Sequence, residues 1–278
     1  MAGMLLIRMF IIYHDYEHHA ILTGSRPAFV LMKAFGIFIL SPSSIWKRSH
    51  DHHHKHNSKL FSASIGSYPI ATKHKYLQMS RSEKFNYLAN RHPLTIALGY
   101  FTMFIFGMCV ASFISSPRKH WDSLVALVLH VSVSLLIFIY LGGQTWFLLF
   151  FLPFLIAFAM GSYLFYAQHN FPGVRFAGNG DWAYEKAAME SSSYMEMHPV
   201  MAWLTGNIGY HHIHHLNAKI PFYRLPEVMR QIPVLNNCRR TSLSPRDIRD
   251  CLRLKVWDPE VGSMIGLRNI RENSLAPA

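Results

Sequence analysis

Residues 123–167 read SLVALVLHVSVSLLIFIYLGGQTWFLLFFLPFLIAFAMGSYLFYA, with no Asp, Glu, Lys or Arg among them. The two apolar runs, 123–141 and 146–167, each approach the ~20 residues a helix needs to cross a hydrocarbon core of roughly 30 Å. Only a Gly-Gly-Gln-Thr turn separates them, so the stretch predicts a helical hairpin that crosses a membrane twice. Other apolar stretches are weaker. Residues 28–40 are interrupted by Lys33 and Gly36, and residues 4–13 by Arg8, so both read as interfacial or buried rather than spanning. Residues 93–115 carry no charge and are long enough to cross, but Gly99 and Gly107 lie within them.

Composition agrees with a membrane protein. Of 278 residues, 51% are hydrophobic and 15% charged, with the apolar residues gathered in a few runs rather than spread at core density, which excludes a disordered chain and disfavours a soluble enzyme. Cys109, Cys238 and Cys251 are too few and too scattered for a disulfide framework or a thiolate metal site. The net charge of +12 is not laid out as a basic stripe with interleaved aromatics, so it does not read as a nucleic-acid surface. Instead Lys and Arg concentrate in 42–92 and 168–278, and by the positive-inside rule both regions face the cytoplasm. The start of the chain is no usable secretory signal, because acidic and histidine residues follow its apolar stretch.

Both basic regions also carry histidine. Of 18 histidines, 12 fall in three short stretches. The first reads His14-Asp15-Tyr16-Glu17-His18-His19, the second His50-Asp51-His52-His53-His54-Lys55-His56, and the third His211-His212-Ile213-His214-His215. His14 and His18, four apart, share one face of a helix, and H-x-x-H-H places His50, His53, His54 and His211, His214, His215 as compact triangles. These eight imidazoles are twice what one zinc needs and suit two metal ions. No H-E-x-x-H occurs, which removes the zinc-protease reading. The second and third clusters can share a site only if an even number of crossings separates them, so 93–115 is expected to be re-entrant or interfacial. Asp15 and Asp51, each beside a histidine of a box, are candidates to accept the other ring N–H of a ligand imidazole. His130, inside the first run of the hairpin, is expected to bond to a facing helix.

The order H-x-x-x-H, H-x-x-H-H, H-x-x-H-H, with the last box in Gly206-Asn207-Ile208-Gly209-Tyr210-His211-His212-Ile213-His214-His215-Leu216, resembles the membrane fatty acid desaturases. Tyr166-Ala167-Gln168-His169-Asn170-Phe171, Glu190-Ser191-Ser192-Ser193-Tyr194, Trp203-Leu204-Thr205-Gly206-Asn207 and Ile220-Pro221-Phe222-Tyr223-Arg224-Leu225 are similar to the bacterial acyl-lipid, delta-12-like branch. The resemblance covers about His14 to Arg230. It implies one all-α integral membrane domain: boxes one and two in 12–60, membrane segments in 93–167, a cytoplasmic helical cap with the third box in 168–235, and a polar tail in 236–278. It implies two iron ions with O2 as co-substrate, held by His14, His18, His50, His53, His54, His211, His214 and His215. It adds His169, which composition alone would leave as an interfacial side chain. No catalytic residue beyond the metal ligands is implied.

The implied reaction removes two hydrogens from neighbouring methylenes of a membrane-lipid acyl chain, in a bacterial inner membrane with the metal site on the cytoplasmic side. An unactivated methylene offers no polar handle, so an apolar slot must position the chain, with Trp182, Tyr194 and Trp203 as candidate walls. No His-Pro-Gly-Gly haem motif is present, so electrons are expected from a separate carrier such as ferredoxin or cytochrome b5. Two departures stand out. The family usually has one or two spanning helices before the first box, where 13 residues stand here, and Tyr16 and Glu17 replace the usual small residue and glycine. Two competing readings are a lipid, alkane or carotenoid hydroxylase or ketolase of the same superfamily, and a histidine-rich zinc-binding membrane protein.

Overall fold

The computed structural model describes residues 1–60, 67–178 and 180–274. Its backbone is mostly helical. The apolar hairpin comprises α8 (Trp121–Trp146), a wide π-helical turn at Phe147–Phe151 and α9 (Leu152–Ala167). Helical hydrogen bonding runs on through the bend, but Gly142, at φ +82° and ψ 161°, leaves the helical region and reverses the chain. A side chain would strain that left-handed backbone; glycine permits it. Trp146 Nε1–H donates to Ser134 Oγ at 2.7 Å, and the rings of His130 and Phe150 lie 4.8 Å apart. In a straight helix the first pair would be about 18 Å apart, so the predicted hairpin is present. Within its most apolar window only 11% of the residues are buried. A core helix of a soluble protein would hide such a surface, whereas lipid covers it at no cost.

Before the hairpin come α1 (Ala2–Glu17), α2 (Arg26–Phe38) and α3 (Ser43–His56). Ser25 caps α2, its hydroxyl accepting from Ala28 N–H at 3.3 Å. Between α2 and α3 the axis turns by 91°. Ala28, Met32 and Gly36 are buried along one side of α2 while Phe29, Val30 and Leu31 are exposed, an amphipathic division that fits the expected interfacial position. Two short helices follow, α4 (Lys73–Gln78) and α5 (Arg81–Asn90), the second opened by a Ser80–Glu83 capping box.

Residues 93–115 form α6 (Pro93–Ala97), a π-helical segment (Tyr100–Ala111) and α7 (Ser112–Ser115). The segment begins and ends on one side of the hairpin. At its start, buried Arg91 donates through Nη2 to Asn170 Oδ1 at 2.6 Å, just beyond α9. At its end, Ser112 Oγ lies 3.0 Å from Ser123 Oγ in the first turn of α8. A segment that returns to its own side of the hairpin fits the expected re-entrant or interfacial placement. It packs closely where Gly99 meets α9: a Cβ there would lie 1.9 Å from Ser162 Oγ. His130 bonds to the Tyr100 hydroxyl of this segment.

Beyond α9 the chain forms α10 (Tyr184–Ser191), β1 (Tyr194–Glu196), α11 (Pro199–Leu204), α12 (His211–Leu216), α13 (Leu225–Gln231), β2 (Arg240–Ser242), α14 (Pro245–Arg253), β3 (Val256–Asp258), β4 (Ser263–Ile265) and α15 (Leu267–Ser274). The all-α expectation is amended here: β1 and β2 pair in parallel and β3 and β4 antiparallel. Three-residue strands are too short to show a period of two, so no pattern in the chain announces them. The tail packs against the rest of the chain. Trp257 N–H donates to Ala71 O at 3.0 Å, Asn170 Nδ2 to Cys251 O at 2.7 Å, and Tyr166 hydroxyl to Leu254 O at 3.2 Å.

Candidate metal centre

Four elements bring histidines to one place at the end of the hairpin. His14 lies in the last turn of α1 and His18 caps it, α3 carries the second box, α12 the third, and His169 follows α9. The nine sort into two groups, His14, His18, His50, His54 and His214 in one, His53, His169, His211 and His215 in the other. Within each group one nitrogen per ring lies within 4.8 Å of all the others. The rings of His54 and His215 stack 4.2 Å apart, so the groups are neighbours.

The division follows from helix geometry. Positions four apart are only about 40° apart around the axis, whereas adjacent positions differ by about 100°. Hence His14 with His18, His50 with His54, and His211 with His215 each stay together, while His53 and His214 turn to the other group. Each H-x-x-H-H box is therefore shared between both groups.

Two of the second ring nitrogens are held, whereas Nδ1 of His54, His211 and His215 is buried with no hydrogen-bond partner among the described residues. His14 Nδ1 lies 3.0 Å from Asp15 Oδ1, and Asp15 Oδ2 accepts the Phe222 N–H at 2.6 Å. His169 Nδ1–H donates to Ser191 O at 2.9 Å. With Nδ1 bearing the proton, each ring presents the Nε2 lone pair to its group. His53 and His211 Nε2 each come within 2.9 Å of His169 Nε2, and His50 and His214 Nε2 lie 3.2 and 3.1 Å from His54 Nε2. His18 Nε2 is buried with no hydrogen-bond partner among the described residues. Burial, with neighbouring imidazoles adding to it, pushes His50, His53, His54, His211, His214 and His215 well below the ordinary histidine range. Burial pushes His169 down to about 4. Neutral imidazoles with converging lone pairs repel one another unless a cation lies between them, and this donor set suits iron or another borderline metal. The residues present therefore fit a pair of metal ions.

The remaining predicted residues lie around this core. Asp51 is half-exposed and pairs with Lys47 at 3.2 Å, away from the imidazoles. His212 is buried, with Nε2 3.1 Å from Leu235 O, which ties α12 to the following segment. His52 stacks on His56 at 4.0 Å. His19 takes φ +57° just past α1. Trp46, not singled out from sequence, stacks on His50 at 4.6 Å; its place four residues before His50 on one helix was the available signal.

A cavity of about 480 Å³ opens beside the histidines. His14, His50 and His211 border it, so it touches both groups, and Phe10, Met103, Phe104, Phe158 and Leu164 line it among the membrane segments. Trp182, Tyr194 and Trp203 lie outside this lining. Trp182 Nε1–H donates to Asn57 O at 2.8 Å, Tyr194 packs on Tyr210 with ring centroids 4.7 Å apart, and exposed Trp203 lies beneath the Arg8 guanidinium at 4.0 Å. The cavity wall was not legible because it is assembled from at least five separated stretches.

Residues 1–243 match the family model described as fatty acid desaturase. The chain is 32% identical over 287 residues to a fatty acid desaturase of Bacillus subtilis (strain 168), covering 97% of this chain and 76% of that protein. It is 25% identical over 265 residues to an sn-1 acyl-lipid omega-3 desaturase (ferredoxin) of Nostoc sp. (strain 36), covering 88% of this chain and 69% of that one.

Proposed function

Because the chain belongs to the fatty acid desaturase family, we propose that its nine clustered histidines hold two iron ions and that the substrate acyl chain lies in the cavity beside them. The protein is a fatty acid desaturase, introducing double bonds into acyl lipid chains. The observation that carries the finer reading is the apolar cavity bordered by members of both histidine groups. Pockets of 300–1,000 Å³ lined by apolar side chains are typical of small-ligand sites.

His14, His18, His50, His54 and His214 hold one ion in this reading, and His53, His169, His211 and His215 the other. When bound, the two irons supply the oxygen-dependent chemistry that takes two hydrogens from adjacent methylenes. The protein's own residues do the rest. Asp15 and the Ser191 carbonyl orient His14 and His169, and imidazoles kept neutral by burial leave the metal charge uncancelled. The aromatic and aliphatic wall excludes water and holds the acyl chain in register by shape alone. The substrate is a membrane-lipid acyl group, the site faces the cytoplasm, and a ferredoxin-class carrier donates electrons, in keeping with the Nostoc relative, an sn-1 acyl-lipid omega-3 desaturase (ferredoxin).

The test is expression in a bacterial host lacking polyunsaturated lipids, with mass spectrometry of fatty acid methyl esters. A new double bond should appear with the wild type and with His56→Ala, and be lost with His53→Ala or His214→Ala. Persistence of product in both of the latter variants, or an alcohol instead of an alkene, would overturn the site assignment or the reaction respectively.

A further inference from the structure

We propose that electrons enter through the surface pair Trp182 and Tyr184, onto which an acidic iron–sulfur carrier docks against a lysine rim, and that they reach the His53/His169/His211/His215 group first. This inference rests on the ferredoxin-class donor proposed above.

Both aromatic rings are half-exposed, outside the cavity lining, and each is bonded to an element that carries ligand histidines. Trp182 Nε1–H donates at 2.8 Å to the carbonyl of Asn57, which caps α3. The Asn57 side chain in turn donates to Ser192 Oγ at 3.0 Å, and the neighbouring Ser191 carbonyl accepts the His169 Nδ1–H at 2.9 Å. Tyr184 stands 6.3 Å from Trp182, ring to ring, and its hydroxyl donates to the His215 carbonyl at 2.6 Å. Two separate chains of hydrogen bonds thus connect one surface spot to His169 and to His215, both in the second group. Electron tunnelling falls off more gently along bonded and hydrogen-bonded paths than across gaps, and indole and phenol rings shorten the distance to a docked carrier.

The rim supplies the docking charge. Lys59 Nζ lies over the Trp182 ring at 4.0 Å, and no carboxylate pairs with it among the described residues. Lys55, Lys186 and Lys219 are exposed and lie within four positions of Asn57, Tyr184 and His215 in the sequence, against Asp181 and Glu185, so the stretches that carry the pair and its bonded partners are net positive. A positive rim around a partly exposed aromatic centre selects an acidic partner and accelerates its encounter.

The step balances as R–CH2–CH2–R′ + O2 + 2 e⁻ + 2 H⁺ → R–CH=CH–R′ + 2 H2O. The two electrons come from two reduced carriers, each oxidised by one electron.

The experiment uses the iron-loaded protein in detergent and an acidic ferredoxin, reading the binding constant by interferometry and the rate of iron reduction by stopped flow. Lys59→Glu should weaken binding by about tenfold at low salt, and the wild-type affinity should itself drop steeply as ionic strength rises toward about 0.3 M. Trp182→Ala should slow reduction by ferredoxin at least about tenfold while reduction by dithionite is unchanged, and Trp182→Phe, which keeps a ring but cannot donate to the Asn57 carbonyl, should recover only part of the rate. Should Trp182→Ala lose iron, Lys59→Glu and Trp182→Phe decide. Wild-type binding by Lys59→Glu, or ferredoxin reduction of Trp182→Ala at the wild-type rate, would overturn the entry site. Absence of ferredoxin binding to a wild-type protein that forms the double bond with another donor would overturn both the port and the donor class, leaving the desaturase activity standing.

Discussion

Asp15 couples the metal site to the fold with its two oxygens, one 3.0 Å from His14 Nδ1 and the other accepting the Phe222 N–H at 2.6 Å. Removing the carboxylate frees the ring tautomer and orphans a buried donor. Asp15→Ala is therefore expected to lower iron affinity by about 10–100-fold, read by competition with a chelator; unchanged affinity would deny the orienting role. Asp15 lies against the His14 ring that it adjoins in the sequence, whereas Asp51, the same kind of neighbour, turns to Lys47, since adjacency in a helix does not fix direction. A second charged group is bound up with the tail. Lys255 Nζ donates to the Arg91 carbonyl, and burial with the Arg91 guanidinium pushes its amine down to about 8. The folded protein releases that proton near pH 8 and the unfolded chain near about 10.4, so the group's contribution is unfavourable below this window and stability rises as pH climbs through it. Lys255→Met removes the titration, so wild type should gain in melting temperature relative to this variant between about pH 7 and pH 10; a constant difference would contradict the assignment.

Among the elements, α9 and the π-helical segment Tyr100–Ala111 shape the cavity. Gly161 lines it, and a Cβ built there would meet nothing within 4 Å, so its missing side chain leaves room rather than relieving a clash. Gly161→Leu is expected to fold and to fill part of the slot, reducing desaturation of long acyl chains by about tenfold or more relative to short ones; competition between substrates of different length reads this, and an unaltered preference would place the chain elsewhere. The helical period made the boxes and the hairpin readable, because His14, His18, His50 and His54 repeat at four and the apolar runs have membrane length. What the period could not show was how neighbouring helices face one another. His53 and His214 joined the group opposite to their nearest box partners for that reason, and the short strands of the tail carried no repeat at all.

Across the whole molecule, the hairpin provides the anchor and the rest of the chain gathers at one of its ends. Both α8 and α9 have their outer ends there, 93–115 departs and returns on that side, and α1, α3 and α12 bring the imidazoles together beside the exit of α9. By residue count and charge alone 93–115 would read as a crossing, and only the need for the second and third histidine clusters to meet argued against it; the cavity was not legible at all, because its wall comes from α1, α3, the π-helical segment and α9 at once. In the proposed function the two histidine groups are two iron sites in one cage. Elemental analysis of purified wild-type protein, with iron and zinc counted per chain, tests it most directly. Two iron and no zinc per chain are expected, and a single metal ion per chain, or zinc in place of iron, would overturn the assignment.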